Sequence, residues 1–333
     1  MTAMKRRQCV IGLALLPYAS YPAAASERWQ AALARAQMMR DLALRNGDQA
    51  YGACVVDADG RIIAEAPSRV VSLNDADAHA ERQALNAAQR ALGRNDLIGY
   101  VLVGSSRACA QCERAAMRAG VARLVWPGGE AEPPLMAAAE RKDFSALIRA
   151  LDEGAPINTL DLRRRTALLV AVQGNDEAIA QALIRRGADI NAQDDIQDSP
   201  FLLAGARGRT AMLAQMLLPP SGHATRPDYK LLNRYGGTAL IPACHYGHVD
   251  SVRLLLQASK IDVNHTNRLG WTALLEAVIL GDGGLAYVEI VRLLLAHQAN
   301  PNTPDAQGLS PLTHARQKGQ TEVAGLIAAA GGI

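Results

Sequence analysis

The chain has 333 residues, of which 49% are hydrophobic, 20% charged and 4% aromatic, and its formal net charge is +3. This length exceeds that of one typical domain, so we expect at least two. Charges that nearly cancel exclude the strongly basic surface of a protein that grips long nucleic acid, and five scattered cysteines exclude a disulfide framework.

The first 25 residues have the composition of an export signal. Lys5, Arg6 and Arg7 precede the apolar run 9–16, and the small residues at 23–25 form a cleavage pattern. We predict that residues 1–25 direct a periplasmic or secreted protein through the Sec route or, given the paired arginines, the twin-arginine route. An uncleaved membrane anchor is the alternative. No other stretch is apolar for long enough to cross a bilayer, so we expect no membrane contact after signal removal.

Strands and helices alternate in the next segment. Residues 51–57 and 61–66 read as two strands joined by an Ala-Asp-Gly turn. The apolar spacing then predicts a helix at 78–91, a strand at 100–104, a helix at 109–119 and a strand at 122–126. This order indicates an α/β domain.

Chemistry-bearing residues stand near the starts of both predicted helices. A catalytic zinc takes three nitrogen or thiolate ligands and keeps one position for water. We predict His79, Cys109 and Cys112 as ligands of one zinc ion per chain, because helix N-termini favour thiolates. Glu81 lies too near His79 in sequence for both to bind one ion comfortably, so we expect it to be the catalytic proton carrier. A structural zinc would want a fourth protein ligand and would not need Glu81.

These residues resemble the motifs of the cytidine and deoxycytidylate deaminase superfamily, most closely its guanine deaminase and tRNA adenosine deaminase branch. The matching stretches are Tyr51-Gly52-Ala53, residues 74–81 (NDADAHAE) and residues 117–126. The resemblance implies a three-layer α/β/α zinc deaminase-like domain with a mixed sheet over residues 26–130. It also implies an aminated ring as substrate, and it leaves a homodimer open because relatives are often dimers.

The substrate pocket departs from the family pattern. The resemblance implies substrate contacts at Tyr51, Ser68, Ala80 and Ala108. Ala108 replaces the proline that usually precedes the first cysteine, and Ser68 stands where the family has a base-binding asparagine. Metal binding is expected to persist, whereas the choice of ring does not transfer.

Residues 131–333 carry an internal repeat. Its units start at residues 133, 166, 199, 238, 272 and 310. This spacing is the ankyrin period with two insertions, around 219–228 and 281–287. The segment resembles ankyrin repeats, which implies an all-α solenoid of about six units that docks a protein partner. The preceding stretch 127–134 reads as a loop, so we expect the α/β core to end near Trp126 without a final strand, its surface finished by the first repeat or a second subunit.

The remaining cysteines and histidines receive structural interpretations. Cys54 and Cys244 are expected to be buried free thiols. A second metal site at His245 and His248 is disfavoured, because a fourth ligand is missing and such histidines are ordinary in ankyrin repeats.

The sequence therefore predicts an exported zinc-dependent hydrolytic deaminase of a nucleobase, a nucleoside or a similar ring. Without residues 1–25 the formal charge falls to 0, and residues 26–132 hold thirteen arginines and thirteen carboxylates. A small free base or nucleoside suits this neutral surface better than tRNA. Two alternatives stay open. One is a catalytically degenerate deaminase fold that serves as a platform for the repeats, and the other is a secreted deaminase effector.

Overall fold

The computed structural model describes residues 24–218 and 225–333. The predicted export signal lies outside this part except for its last two residues, which begin the first helix, and most of the 219–228 insertion lies outside it as well. The first eight elements are α1 (Ala24–Arg45), β1 (Gly52–Val56), β2 (Ile62–Pro67), α2 (Ala80–Leu92), β3 (Val101–Gly104), α3 (Ala110–Ala119), β4 (Arg123–Trp126) and β5 (Gly129–Ala131).

The strands form one mixed sheet in the order β2-β1-β3-β4-β5. Only β3 and β4 pair in parallel, and the other pairs are antiparallel. Alternate residues face opposite sides. Ala53, Val55 and Leu102 pack beneath α2 and α3, while Cys54, Val56 and Val103 pack against Trp29 of α1 and its neighbours. The predicted α/β/α layering is confirmed.

The position of Gly52 shows how closely α1 approaches the sheet. A side chain there would overlap the backbone of Ala36 and Arg40. Only glycine fits, so the first residue of β1 fixes the distance between the helix and the sheet.

One expectation about the sheet is wrong. Residues 129–131, which read as loop, form a fifth strand whose register places Trp126 opposite Gly129 and Leu124 opposite Ala131. The strand has three residues and starts with glycine, so its own sequence carries little β propensity. The strand forms because it pairs with β4. The predicted domain boundary between residues 130 and 131 therefore falls inside this strand.

In the part of the chain that the structure describes, twelve helices follow, and they form six successive pairs. They are α4 (Pro134–Glu140), α5 (Phe144–Asp152), α6 (Ala167–Gly174), α7 (Glu177–Arg185), α8 (Pro200–Ala206), α9 (Thr210–Leu217), α10 (Leu240–His245), α11 (Val249–Ala258), α12 (Ala273–Leu280), α13 (Leu285–Ala296), α14 (Pro311–Gln317) and α15 (Thr321–Ala329).

The starts of these pairs match the predicted repeat starts. Thr166, Ser199 and Thr272 cap α6, α8 and α12, each side-chain oxygen accepting a hydrogen bond from the backbone N–H three residues on. Because each pair buries one apolar face against the next, a single core runs through all six. The predicted solenoid is confirmed.

The first repeat packs directly on the α/β domain. Met117 of α3 is 2% exposed and belongs to the core of the repeats, whereas Leu162 of the first repeat packs against the Trp29 side of the sheet. The Arg118 side chain donates to the Glu153 carbonyl at 3.2 Å. The first repeat therefore covers surface that the shortened domain would otherwise expose.

A search of the described residues for a helix of membrane-spanning length and apolarity finds none.

Candidate metal centre and adjoining cavity

Two predicted metal ligands occupy the residue just before a helix. His79 precedes α2 and Cys109 precedes α3, both with extended backbone. Neither side chain bonds to the exposed N–H groups of its own helix, so both are available for other partners. Cys112, one turn into α3, is buried.

The three side chains converge on one point. Cys109 Sγ and Cys112 Sγ each lie 3.5 Å from His79 Nδ1, and the three ligand atoms are all within 4.8 Å of one another. A tetrahedral zinc ion with ordinary bond lengths would place sulfur and nitrogen about 3.6 Å apart. The donor set and its spacing therefore fit zinc, with Nδ1 as the histidine donor.

The electrostatics of the cluster also favour a cation. Burial raises the pKa of the Cys112 thiol, and the nearby Glu81 carboxylate and Cys109 raise it further. A thiolate next to a carboxylate in a buried position needs a positive charge to offset it. A divalent ion held there would supply that charge, and Glu81 is one of the groups close enough to Cys112 to raise its pKa.

A small cavity adjoins Glu81. Its volume is ≈ 10 Å³, which is room for about one water molecule. Its walls are formed by Glu81, Leu102, Gly104, Ser106, Ala108, Leu124, Val125 and Trp126. The cavity can hold a water beside the carboxylate, but it is far too small for a ring.

Trp126 lines the cavity and was not identified from the sequence as part of the site. A side chain at Gly129 would lie 2.8 Å from three atoms of the indole, and the Arg107 guanidinium lies 5.6 Å from the ring centre. Arg107 is itself held by Glu113, to which its Nε donates at 3.1 Å. The sequence signal that could have identified Trp126 is the alternation of side chains along β4, which turns Leu124 and Trp126 toward the helices that carry the ligands.

The four predicted substrate contacts differ in placement. Ala108 lines the cavity. Ser68 is 1% exposed, and its hydroxyl has no hydrogen-bond partner among the described residues. Ala80 points into the core under the sheet. The Tyr51 side chain is 46% exposed and does not line the cavity. The structure therefore brings only Ala108 to the cavity beside Glu81.

The other cysteines and histidines are placed elsewhere. Cys54 and Cys244 are buried thiols, as predicted. His245 stacks on Tyr246, with ring centres 4.2 Å apart, and its Nδ1 lies 3.6 Å from a buried Glu276 oxygen. In the described part of the chain, His79, Cys109 and Cys112 form the one group of three or more such side chains with metal-binding spacing.

Two family models match the chain. The model of the cytidine and deoxycytidylate deaminase zinc-binding region matches residues 26–127. The ankyrin repeat model matches three times, at residues 108–194, 201–305 and 260–332.

Two similar individual proteins are named as ankyrin repeat proteins. The ankyrin repeat protein YahD of Escherichia coli (strain K12) is 42% identical over 194 residues, which are 58% of this chain and 94% of YahD. The fowlpox virus ankyrin repeat protein FPV031 is 30% identical over 172 residues, so the chain spans only 48% of that protein.

A solved ankyrin repeat domain from Acinetobacter baumannii AYE superimposes with a TM-score of 0.56 at 47% identity, covering 60% of this chain and 98% of that one. The names of these relatives describe repeats and do not bear on the chemistry at His79.

Proposed function

The chain belongs to the ankyrin repeat family and carries a cytidine and deoxycytidylate deaminase zinc-binding domain, and from that premise we propose that it is a zinc-dependent hydrolase that releases ammonia from a nucleobase, nucleoside or similar ring. The observation that carries the proposal is the convergence of His79, Cys109 and Cys112 beside Glu81. A purely structural site would not need that carboxylate.

His79, Cys109 and Cys112 would hold one zinc ion per chain. When bound, zinc lowers the pKa of water to near neutrality and so supplies a nucleophile. The remaining chemistry belongs to Glu81, which borders a cavity large enough for the attacking water.

The proposed reaction balances with one water. The water oxygen bonds to the ring carbon that bears the amino group, and the bond from that carbon to the amino nitrogen breaks. Glu81 takes one proton from the water and delivers it to the adjacent ring nitrogen, then carries the second to the departing nitrogen, which leaves as ammonia. The products are a ring carbonyl with its N–H and one ammonia.

Ser68 is a polar residue among the four substrate contacts that the family resemblance implies. Its buried hydroxyl lacks a partner in the described part of the chain, and such a group is unfavourable unless a ligand or water satisfies it. The hydroxyl does not line the cavity beside Glu81, so a contact with the substrate rests on the family resemblance alone. Serine both donates and accepts, so this position alone does not choose between rings.

The test measures ammonia release from guanine, adenine, cytosine and their nucleosides by the purified zinc-loaded chain. Glu81→Gln should lower turnover by about 10²–10⁴-fold while zinc content stays unchanged. Glu177→Gln, in the exposed first turn of α7, is the matched control and should keep full activity. Zinc binding with no turnover of any ring by the unmodified chain would refute the chemistry.

Export is a separate proposal that rests on the pattern of residues 1–25. Zinc loading before export would protect Cys109 and Cys112 from oxidation to a disulfide, which favours the twin-arginine route for a protein already folded. Replacing Arg6 and Arg7 with lysine should then keep the protein in the cytoplasm. Continued export of that variant would contradict this route.

A second function is favoured by one observation. The cavity beside Glu81 is ≈ 10 Å³, which is too small to hold a ring. If no ring binds, the α/β domain would be a zinc-bound platform for the repeats. Zinc at about one ion per chain without ring binding would support this function over catalysis.

A further inference from the structure

The tight turns between successive helix pairs form a continuous row. The turns at 161–165, 194–198, 233–237 and 267–271 are each closed by a backbone hydrogen bond from the first residue to the last. Neighbouring turns also join. Asp195 N donates to Arg163 O, Arg268 N donates to Tyr235 O, both at 3.0 Å, and Arg234 pairs with Asp198 at 3.1 Å.

We call this row the tip surface. Its members are Arg163, Arg164, Asp195, Ile196, Arg234, Tyr235, Arg268 and Leu269.

The tip surface carries protruding apolar side chains. Tyr235 is 50% exposed, Leu269 is 49% exposed and Ile196 is 38% exposed. A cavity of ≈ 390 Å³ opens between the turns that carry them, bordered by Asn233, Gly236 and Arg268 among others. Because neighbouring turns are hydrogen-bonded, these apolar groups belong to one contiguous surface rather than to isolated positions.

The same surface has an excess of positive charge. Arg163, Arg164 and Arg268 are exposed, and none of them forms an ion pair within the described part of the chain. Arg234 is already paired with Asp198. Asp195 is the exposed carboxylate of the row, so the row has three guanidiniums without an ion pair and one exposed carboxylate.

We propose that the tip surface binds an extended segment of a protein partner that carries carboxylates and large apolar side chains. Guanidiniums pair well with carboxylates, and the apolar side chains of the row offer anchor contacts. A nucleic acid fits less well, because Ile196 and Leu269 are aliphatic and the exposed Asp195 would repel phosphates. This inference rests on the docking role proposed for the repeats and is independent of the chemistry at His79.

The experiment selects ligands from a displayed library of random peptides of about twelve residues on the immobilised full chain. Enriched peptides should be net negative and contain at least one large apolar residue. Synthetic copies are then measured by fluorescence anisotropy. Arg163→Glu with Arg164→Glu, and separately Tyr235→Ala with Leu269→Ala, should each weaken binding by about tenfold or more, and added salt should weaken it as well.

The matched control reverses two arginines outside the row. Arg149 of α5 and Arg185 of α7 are exposed, and changing both to Glu alters net charge by the same amount. Binding should stay within about twofold. Unchanged zinc content and circular dichroism would establish that each variant folds.

Several outcomes would overturn the proposal. These are no enrichment, enrichment of neutral or basic peptides, or equal weakening in the control variant. An oligouridylate that binds more tightly than the selected peptides, and loses affinity in the Arg163 and Arg164 variant, would assign the surface to nucleic acid. Ammonia release plays no part in these readouts, so failure of the deaminase proposal leaves the result interpretable.

Discussion

Trp126 and Gly129 face each other across the β4–β5 pair, and the indole occupies the space that a side chain at position 129 would fill. Arg107 lies over the same ring. The indole is therefore confined on two sides, and it forms one wall of the cavity of ≈ 10 Å³ beside Glu81.

Removing that wall should admit a ring. We expect Trp126→Ala to lower KM for cytosine and, more strongly, for the larger guanine, as measured by ammonia release. In the Glu81→Gln background, equilibrium binding should show the same change in Kd. The lost packing should cost about 2–4 kcal/mol of stability in urea unfolding. Trp271→Ala, in the repeats, is the control and should leave KM unchanged. A Trp126→Ala chain with unaltered KM for both rings would show that the indole does not limit entry.

Zinc content should depend on one buried cysteine and not on another. Cys112→Ser removes a ligand that lies 3.5 Å from His79 Nδ1, and zinc measured by plasma mass spectrometry should drop from about one ion per chain to near zero. Cys54→Ser is the matched control, because that thiol is also buried but donates to the Ala32 carbonyl. Zinc retained by the Cys112 variant would remove Cys112 from the ligand set.

Glu276 should make the stability of the repeats depend on pH. Burial raises the pKa of its carboxyl from 4.5 to about 7, partly opposed by the hydrogen bond from Asn267. The penalty for burying the charged form is absent below pH 4.5, grows as pH rises, and is fully present above about pH 7, where it reaches about 3 kcal/mol.

Glu276→Gln should remove this penalty and keep an acceptor for Asn267. In urea unfolding the variant should gain stability over the unmodified chain at pH 8 but not at pH 4. Because the two chains are compared at the same pH, the titration of the groups that they share contributes nearly equally to both. His245 is the exception, because its Nδ1 lies 3.6 Å from Glu276. Glu177→Gln, on the solvent-exposed start of α7, is the control. An equal stability difference at both pH values would contradict the assignment.

Met117 should link the unfolding of the two domains. It is 2% exposed on α3 but packs in the core of the repeats, so Met117→Ala should cost about 2–4 kcal/mol. Tryptophan fluorescence and circular dichroism should report one shared unfolding transition, and Met117→Ala should shift it equally in both signals. Met38→Ala, at a side chain that is 50% exposed, should change stability by less than about 0.5 kcal/mol. Separate transitions in the unmodified chain would show that the domains unfold independently.

Local patterns predicted the repeats and the three side chains that converge at His79. Thr166, Ser199 and Thr272 could be identified as helix starts because capping depends on residues a few positions apart. The convergence of His79 with the cysteines of α3 followed from their placement at helix starts.

Features that depend on distant partners escaped prediction. The strand at 129–131 exists because β4 offers it an edge, and the burial of Leu162 depends on Trp29, which is far away in sequence. The exposure of Tyr51 and the core packing of Ala80 show that motif resemblance locates a backbone position more securely than the direction of its side chain.

The adjacency of Leu162 and Arg163 has a mechanical consequence. Leu162 is embedded against the sheet beside Trp29 and Val125, and the next residue along the chain is the first arginine of the tip surface. A force on Arg163 would pass through one peptide bond to Leu162, and so to the layer of side chains beneath the metal centre. Binding of a partner at the tip surface and the packing of the α/β domain would then depend on the same short stretch of backbone.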